Sequence, residues 1–151
     1  MSHLNAMKTQ MSDREMLVRA LCRHMHLNRN QIEVHDKAQP IIGYHGNEDQ
    51  VVGNVIIRKG KSGIPSDIGW EQKDGAFTGH VDSFDYTQNS SWNSKIILDD
   101  NWNLGLQDAY NREVLVQGLK DKGKEFTETV DKDGYPLFII KAEAQSFGIQ
   151  L

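Results

Sequence analysis

"DIGWEQKDGAFTGHVDSFDY" (residues 67–86) is the stretch on which the fold turns. Two extended runs flank Asp74-Gly75, a pair that supplies the turn chemistry of a tight β-hairpin. Working upstream, "VVGNVIIRK" (51–59) reads as a strand, and "PIIGYHGNEDQ" (40–50) offers a β-rich run before the polar turn "HGNED". "QIEVHD" (31–36) alternates, with Ile32 and Val34 on one face, and predicts a short strand. Downstream, "FTETVDKDGYPLFIIKAEA" (126–144) predicts a second hairpin around Asp133-Gly134.

Two segments break the β pattern. Ser12 followed by Glu15 forms a capping-box pattern, and Met16, Leu17, Ala20, Leu21 and Met25 follow at helical spacing. This predicts a helix over 13–25, with Arg14, Arg19 and Arg23 on its outer side. "LQDAYNREVLVQGLKDKG" (106–123) returns to the helical period, with Ala109, Leu115, Val116 and Leu119 on one face and Gly123 as the stop. The intervening "TQNSSWNSKIILDDNWNLG" (87–105) shows no clear period. Segregated strands and two helices predict an α+β fold: a single compact domain over 1–151, with an antiparallel or mixed sheet and the two main helices packed on one face.

Composition agrees. The 151 residues are 38% hydrophobic and 25% charged, typical of a soluble globular chain able to bury a sizeable core. A net charge of −4 lacks the positive field that duplex nucleic-acid binders use. The single cysteine, Cys22, rules out an intrachain disulfide and fits a reducing compartment. No apolar run approaches the roughly 20 residues of a bilayer span. The opening "MSHLNAMKTQMSD" has neither a long apolar core nor an Arg-rich presequence, so a cytoplasmic location without membrane association is expected.

Several constellations invite chemistry. Cys22, His24, His26 and His35 lie close in sequence, but on a helix His24 stands about 200° from Cys22, and the spacing is unlike that of paired zinc ligands. These four are expected to be core, surface and cap residues, and no metal is assigned to them. Asp82, Asp85, Asp99 and Asp100 have carboxylates suited to magnesium, without diagnostic spacing. His80 and Asp82 share a strand face and offer a shallow acid–base pair, though a solvated strand face is the expected role of these carboxylates and of His80. "IRKGKSGIP" (57–65) carries Arg58, Lys59 and Lys61 without P-loop spacing. No nucleophile elbow and no dinucleotide fingerprint occurs, so no catalytic residue and no cofactor is expected. Trp92 and Trp102, in a polar stretch, suit either a stacking platform for a partner or an edge of the core.

Three stretches together resemble a known family. "MSHLNAMKTQMSDREMLVRAL" is similar to an opening signature "SHF-x-x-I-K-T-x-I-x-D" followed by a leucine-bearing helix. "NVIIRKG" with "DIGWEQKDGAFTGHVDSFD" resembles a "VVIR" strand and a "DIGF…G…V-D" hairpin, and "AYNREVLVQGLKDKGKEFTETVDKDGYPLFIIKA" resembles a closing helix and hairpin. The family is that of the hypothetical chloroplast reading-frame proteins of algal plastids and cyanobacteria, with members in bacteriophages, and constitutes a domain of unknown function. Leu4, Met7 and Trp70 depart from its usual residues, and 87–103 fits it poorly. The resemblance implies a compact α+β domain in cytoplasm, host cytoplasm or stroma, and no activity. It draws attention to His3, Lys8 and Thr9 in the opening motif.

The expected function is a small non-enzymatic accessory protein that binds another protein through its sheet face or the Trp-containing segment. The alternative is a binder of a nucleotide or other phosphate compound using His3, Arg58, Lys59 and Lys61. A divalent-metal enzyme built on His80, Asp82 and Asp85 is a third reading.

Overall fold

A computed structural model describes residues 4–43, 46, 50–60, 64, 66–82 and 100–141, with backbone alone for 4–8 and 100–103. In order, these form β1 (Leu4–Lys8), α1 (Arg14–Met25), a short 3-10 turn (Arg29–Gln31), β2 (Glu33–Pro40), β3 (Val52–Ile57), β4 (Ile68–Lys73), β5 (Ala76–Asp82), α2 (Asp100–Asp121), β6 (Phe126–Val130) and β7 (Pro136–Ile140). The architecture is α+β, as the sequence predicts. The chain forms two compact units, residues 1–113 and 114–151, and each is described by itself.

In the first unit five antiparallel strands lie in the order β1-β5-β4-β3-β2. Strands β2 to β5 form a meander, and β1 closes the far edge against β5. Asp74 and Gly75 both take positive φ, 52° and 81°, as a two-residue turn between right-twisting strands requires. Because β1 and β2 occupy opposite edges, the chain between them must cross the sheet. Four strand spacings span about 19 Å. The 12 residues of α1 cover about 18 Å. One helix of this length therefore roofs one face.

That face carries Val55, Ile57, Ile68, Trp70, Phe77 and Val81, all buried. Register places them together: Val55 lies opposite Trp70, and Ile68 opposite both Ile57 and Val81. Leu17, Val18, Ala20, Leu21 and Met25 of α1 fill the same core, with Leu106 and Tyr110 from the first half of α2. Each fully buried large side chain stabilises the fold by about 1.5–3 kcal/mol. The helices approach closely where Gly105 sits over the His24 ring; a Cβ there would lie 2.8 Å from the imidazole Cε1.

The start of α1 differs from the expected capping box. Asp13, not Ser12, is the N-cap, and its Oδ1 accepts from the Met16 amide at 3.0 Å. The Tyr110 hydroxyl takes the amides of both Ser12 and Asp13, at 3.1 and 2.8 Å, which shifts the helix start by one residue. Glu15 is thereby free to pair with Arg29 at 2.7 Å and Arg19 at 3.3 Å. The Arg29 hydrogen bond does most to hold its carboxyl below the usual range, against the opposing pull of burial. Helix α2 begins at Asp100, earlier than the period suggests, and Leu115 is exposed rather than facing the core.

Strand β2 also runs further than its alternation predicts, through Lys37, Ala38 and Gln39 to Pro40. A register shift lies between Val34 and Gln39. The buried Asn54 side chain bridges this irregularity. Its amide donates to the carbonyls of His35 and Asp36 at 3.1 and 3.2 Å, and its oxygen accepts from the Gln72 amide at 3.0 Å. The expected run at Pro40-Ile41-Ile42 continues as a strand only to Pro40 among the described residues. Ile41 is instead wholly buried against the notch left by Gly53 and Gly69, where a Cβ on Gly69 would lie 2.7 Å from its Cγ1.

The second unit holds the last turns of α2 and the β6-β7 hairpin. Gly123, with φ 66°, ends the helix, and the Lys124 amide returns to the Leu119 carbonyl at 2.9 Å. In the hairpin loop Asp131 Oδ1 accepts the amides of Asp133 and Tyr135, at 2.8 and 2.9 Å, and Gly134 takes φ 84°.

Candidate functional site

Strand alternation puts Glu33, Ile56, Gly69, Glu71, Thr78, His80 and Asp82 on the sheet face away from the helices. Two polar clusters form there. At one end of the strands, buried Asp67 accepts from the amides of Ile42 and Lys59, at 3.0 and 2.8 Å, and from Arg58 at 2.8 Å. Arg58 also donates to Glu33 at 3.1 Å and to the Pro40 carbonyl at 2.7 Å, and His35 meets Glu33 at 2.8 Å. Burial acts to raise the Glu33 carboxyl, but the His35 and Arg58 bonds outweigh it and leave it lowered. For Arg58 burial opposes the charge, and the bonds from Asp67 and Glu33 more than restore it. The guanidinium thus ties β2, β3 and the entry to β4 together, and a phosphate reaching it would compete with two carboxylates.

The second cluster is His80 with Glu71, Nε2 to Oε1 at 3.3 Å. The two residues are diagonal neighbours across β4 and β5, since His80 lies opposite Gly69 and Glu71 opposite Thr78. His80 is 6% exposed and Asp82 2%, so this strand face is buried at both residues and not solvated as the sequence suggests. Its Nδ1 has no hydrogen-bond partner among the described residues. Burial pushes the imidazole below its ordinary value, and the Glu71 bond only partly restores it. The ring therefore holds a proton less readily than a free imidazole. Asp82, two residues on, is buried with its Oδ2 against the backbone of Gly43, where a Cβ would lie 2.5 Å away.

The residues singled out by sequence do not assemble into one site among the described residues. Thr9 donates to the Phe77 carbonyl at 2.6 Å and accepts the Met11 amide at 3.2 Å, a local backbone role. Register places it at the end of the sheet opposite Arg58, because Lys8 pairs with Thr78 whereas Ile57 and Ile68 align with Val81. Lys59 is exposed, and only its backbone amide reaches Asp67. Lys8 is in β1, and Trp102 and Asp100 are in α2, with backbone alone described. His3, Lys61, Asp85, Trp92 and Asp99 lie outside the described residues. Cys22 is half-buried beside the core, with burial pushing its thiol up; His26 is the exposed left-handed C-cap of α1, and His35 belongs to the Glu33 pair. Among the described residues no three His, Cys, Asp or Glu side chains stand together as metal ligands.

The second unit presents a different surface. In the hairpin, Val130, Tyr135, Leu137, Ile139 and Ile140 are between 44% and 68% exposed, and Val114 and Leu115 of α2 are also exposed. Phe126 and Phe138 pair across the two strands with ring centroids 5.8 Å apart. Sequence reasoning placed the hairpin but missed this surface. The available signal was "PLFII" opposite "FTETV": an apolar strand whose neighbour offers threonine and glutamate instead of a matching apolar row. No helix among the described residues is long and apolar enough to cross a membrane. Compared with known protein families, with characterised proteins and with solved structures, the chain finds no match.

Proposed function

We propose that this protein is a non-catalytic accessory domain that binds another protein through its β6-β7 hairpin. The observation that carries the reading is the exposure of Leu137 and Ile139 of β7 on one face of the hairpin, with Val130 of β6 and Ile140 of β7 on the other. A lone two-stranded hairpin is marginal in water. Contiguous exposed apolar side chains are the usual mark of a protein-binding surface. The polar face of the first unit supports the same reading, because Arg58 is held by Glu33 and Asp67 instead of standing ready for a ligand. Kinship with the plastid and cyanobacterial reading-frame family, and a cytoplasmic or stromal setting, belong to this proposal.

The test is a Leu137→Ser, Ile139→Ser double variant. Cross-linking in the source cells identifies the partner, which is then purified and titrated with both forms. The expected result is at least a tenfold loss of affinity, about 1.4 kcal/mol, with the fold intact. Equal affinity of both forms would remove the hairpin from the function.

A further inference from the structure

Strand β3 cannot run straight. Pro40 lies opposite Val52, yet Arg58 donates to the Pro40 carbonyl at 2.7 Å. The extended chain from Val52 to Arg58 would span about 20 Å, further than an arginine side chain reaches. Ile42 repeats the observation. Its amide donates to the Asp67 carboxylate at 3.0 Å, and its carbonyl accepts the Asp67 amide at 3.1 Å. Asp67 adjoins Ile68, which pairs with Ile57 at the end of β3 remote from Val52. A Cβ on Gly53 would lie 3.4 Å from the Ile56 Cγ1 of its own strand. The tip of the β2-β3 hairpin is therefore folded back over the sheet face away from the helices. The bend falls at the register shift, where an irregular ladder lets a strand turn sharply. Asn54 braces the sheet side of the bend through His35, Asp36 and Gln72.

We infer that this folded-back tip, residues 39–43 with 50–53, is a hinged flap that opens as a unit off the outer face of the five-stranded sheet, swinging about Asn54. Three contacts keep it closed. Ile41 is the plug, seated where a Cβ on Gly69 would lie 2.7 Å from its Cγ1. Arg58 and Asp67 are the latch, gripping the Pro40 carbonyl and both backbone groups of Ile42. Gly43 is the foot, close against the Asp82 carboxylate. The packing beneath the flap is separate from the main core. Ile41 and Ile56 are wholly buried, yet among the described residues they stand outside the cluster that joins the helices to the sheet. Opening therefore breaks the latch and bares one small apolar patch while the helix-covered core stays whole, and segments with few buried apolar contacts open at the lowest free energy. The tip also carries bonds of its own that a swing preserves. The Ile41 amide donates to the Val51 carbonyl at 2.9 Å, and Gly43 and Gly46 exchange both backbone bonds. Hinge motion of this kind uncovers a surface without unfolding it. Here that surface is Ile56 and Gly69, with Asp82 beside them.

Native-state amide hydrogen exchange of the full chain tests this directly. The Ile42 and Asp67 amides bridge flap and sheet, so they should share one opening, at least tenfold more frequent than the one that frees the amides of β4 and β5. That opening should also depend less on denaturant, because it exposes little surface. The Ile41 amide is bonded within the flap, and the Lys59 amide to Asp67 from the sheet side, so both should stay protected while Ile42 and Asp67 exchange. Exchange of Ile42 and Asp67 only together with the sheet would overturn the inference. Exchange of Ile41 or Lys59 along with them would overturn it too, since the region would then unravel instead of swinging. Ile41→Ala supplies the second arm. Removing the plug should make the Ile42 and Asp67 opening at least tenfold more frequent and move the sheet amides less; an equal change in both sets, or none in either, counts against a flap.

Discussion

The two sheets of this chain solve the same problem in opposite ways. The five-stranded sheet hides one face under α1 and α2 and occupies the other with hydrogen-bonded polar groups. The two-stranded hairpin leaves apolar groups exposed on both faces, and among the described residues its strands pair only with each other. The first arrangement accounts for its own stability. The second has an apolar surface that its own unit leaves uncovered, which is why function is assigned to it. The comparison predicts that substitutions in the first sheet act on folding and those in the second on binding.

Trp70→Ala should have the largest effect, a loss of about 3–5 kcal/mol in denaturant unfolding. Trp70 is 1% exposed and central in the sheet. A loss under about 1 kcal/mol would mean that the helix roof is not the main source of stability. Asp67→Ala comes next, at about 3 kcal/mol, since it leaves the Ile42 and Lys59 amides and one side of Arg58 without their acceptor. Gly69→Ala should cost about 1–3 kcal/mol by overpacking against Ile41. Combining it with Ile41→Ala should recover part of that loss, and a double variant no better than additive would show that Ile41 does not fill the notch.

The effect of pH sharpens the contrast at smaller size. Because burial lowers the His80 value on folding, the unfolded chain binds a proton that the native chain resists. Stability is therefore full above the ordinary imidazole value, about pH 6.5, and declines as pH falls through it toward the folded value. His80→Gln should flatten that part of the stability profile; an unchanged slope would show that another group is responsible. Smallest of all is the effect of Leu137→Ser with Ile139→Ser on unfolding, within about 1 kcal/mol. A larger loss would mean that these side chains stabilise the fold itself, which would blur the difference between the two sheets.

What could be read from sequence was local. The β4-β5 hairpin is legible because Asp-Gly supplies two left-handed residues in a row, and α1 because its apolar spacing is regular. The one-residue error at its start came from Tyr110, far along the chain, whose hydroxyl rearranges the local cap. The beginning of α2 was hidden because "DDNWN" has no apolar stripe. Strand β2 was cut short for a related reason: its second half lies at an edge and is polar. The polar network of Arg58, Glu33 and Asp67 joins residues up to 25 positions apart, so no spacing rule reveals it. His80 was correctly placed on a strand face with Asp82, yet its hydrogen-bond partner, Glu71, comes from the neighbouring strand and depends on register.

The Tyr110 hydroxyl also sets an order of events. It serves amides 98 and 97 residues earlier in the chain. At ribosomal speeds of about 5–20 residues per second, that interval lasts roughly 5–20 s. Throughout it the start of α1 has only the Asp13 side chain as a cap, and by its end all five strands of the first sheet have been synthesised. The sheet and its first helix can therefore meet before the second helix exists, and the arrival of α2 fastens an assembly whose other parts are already in place.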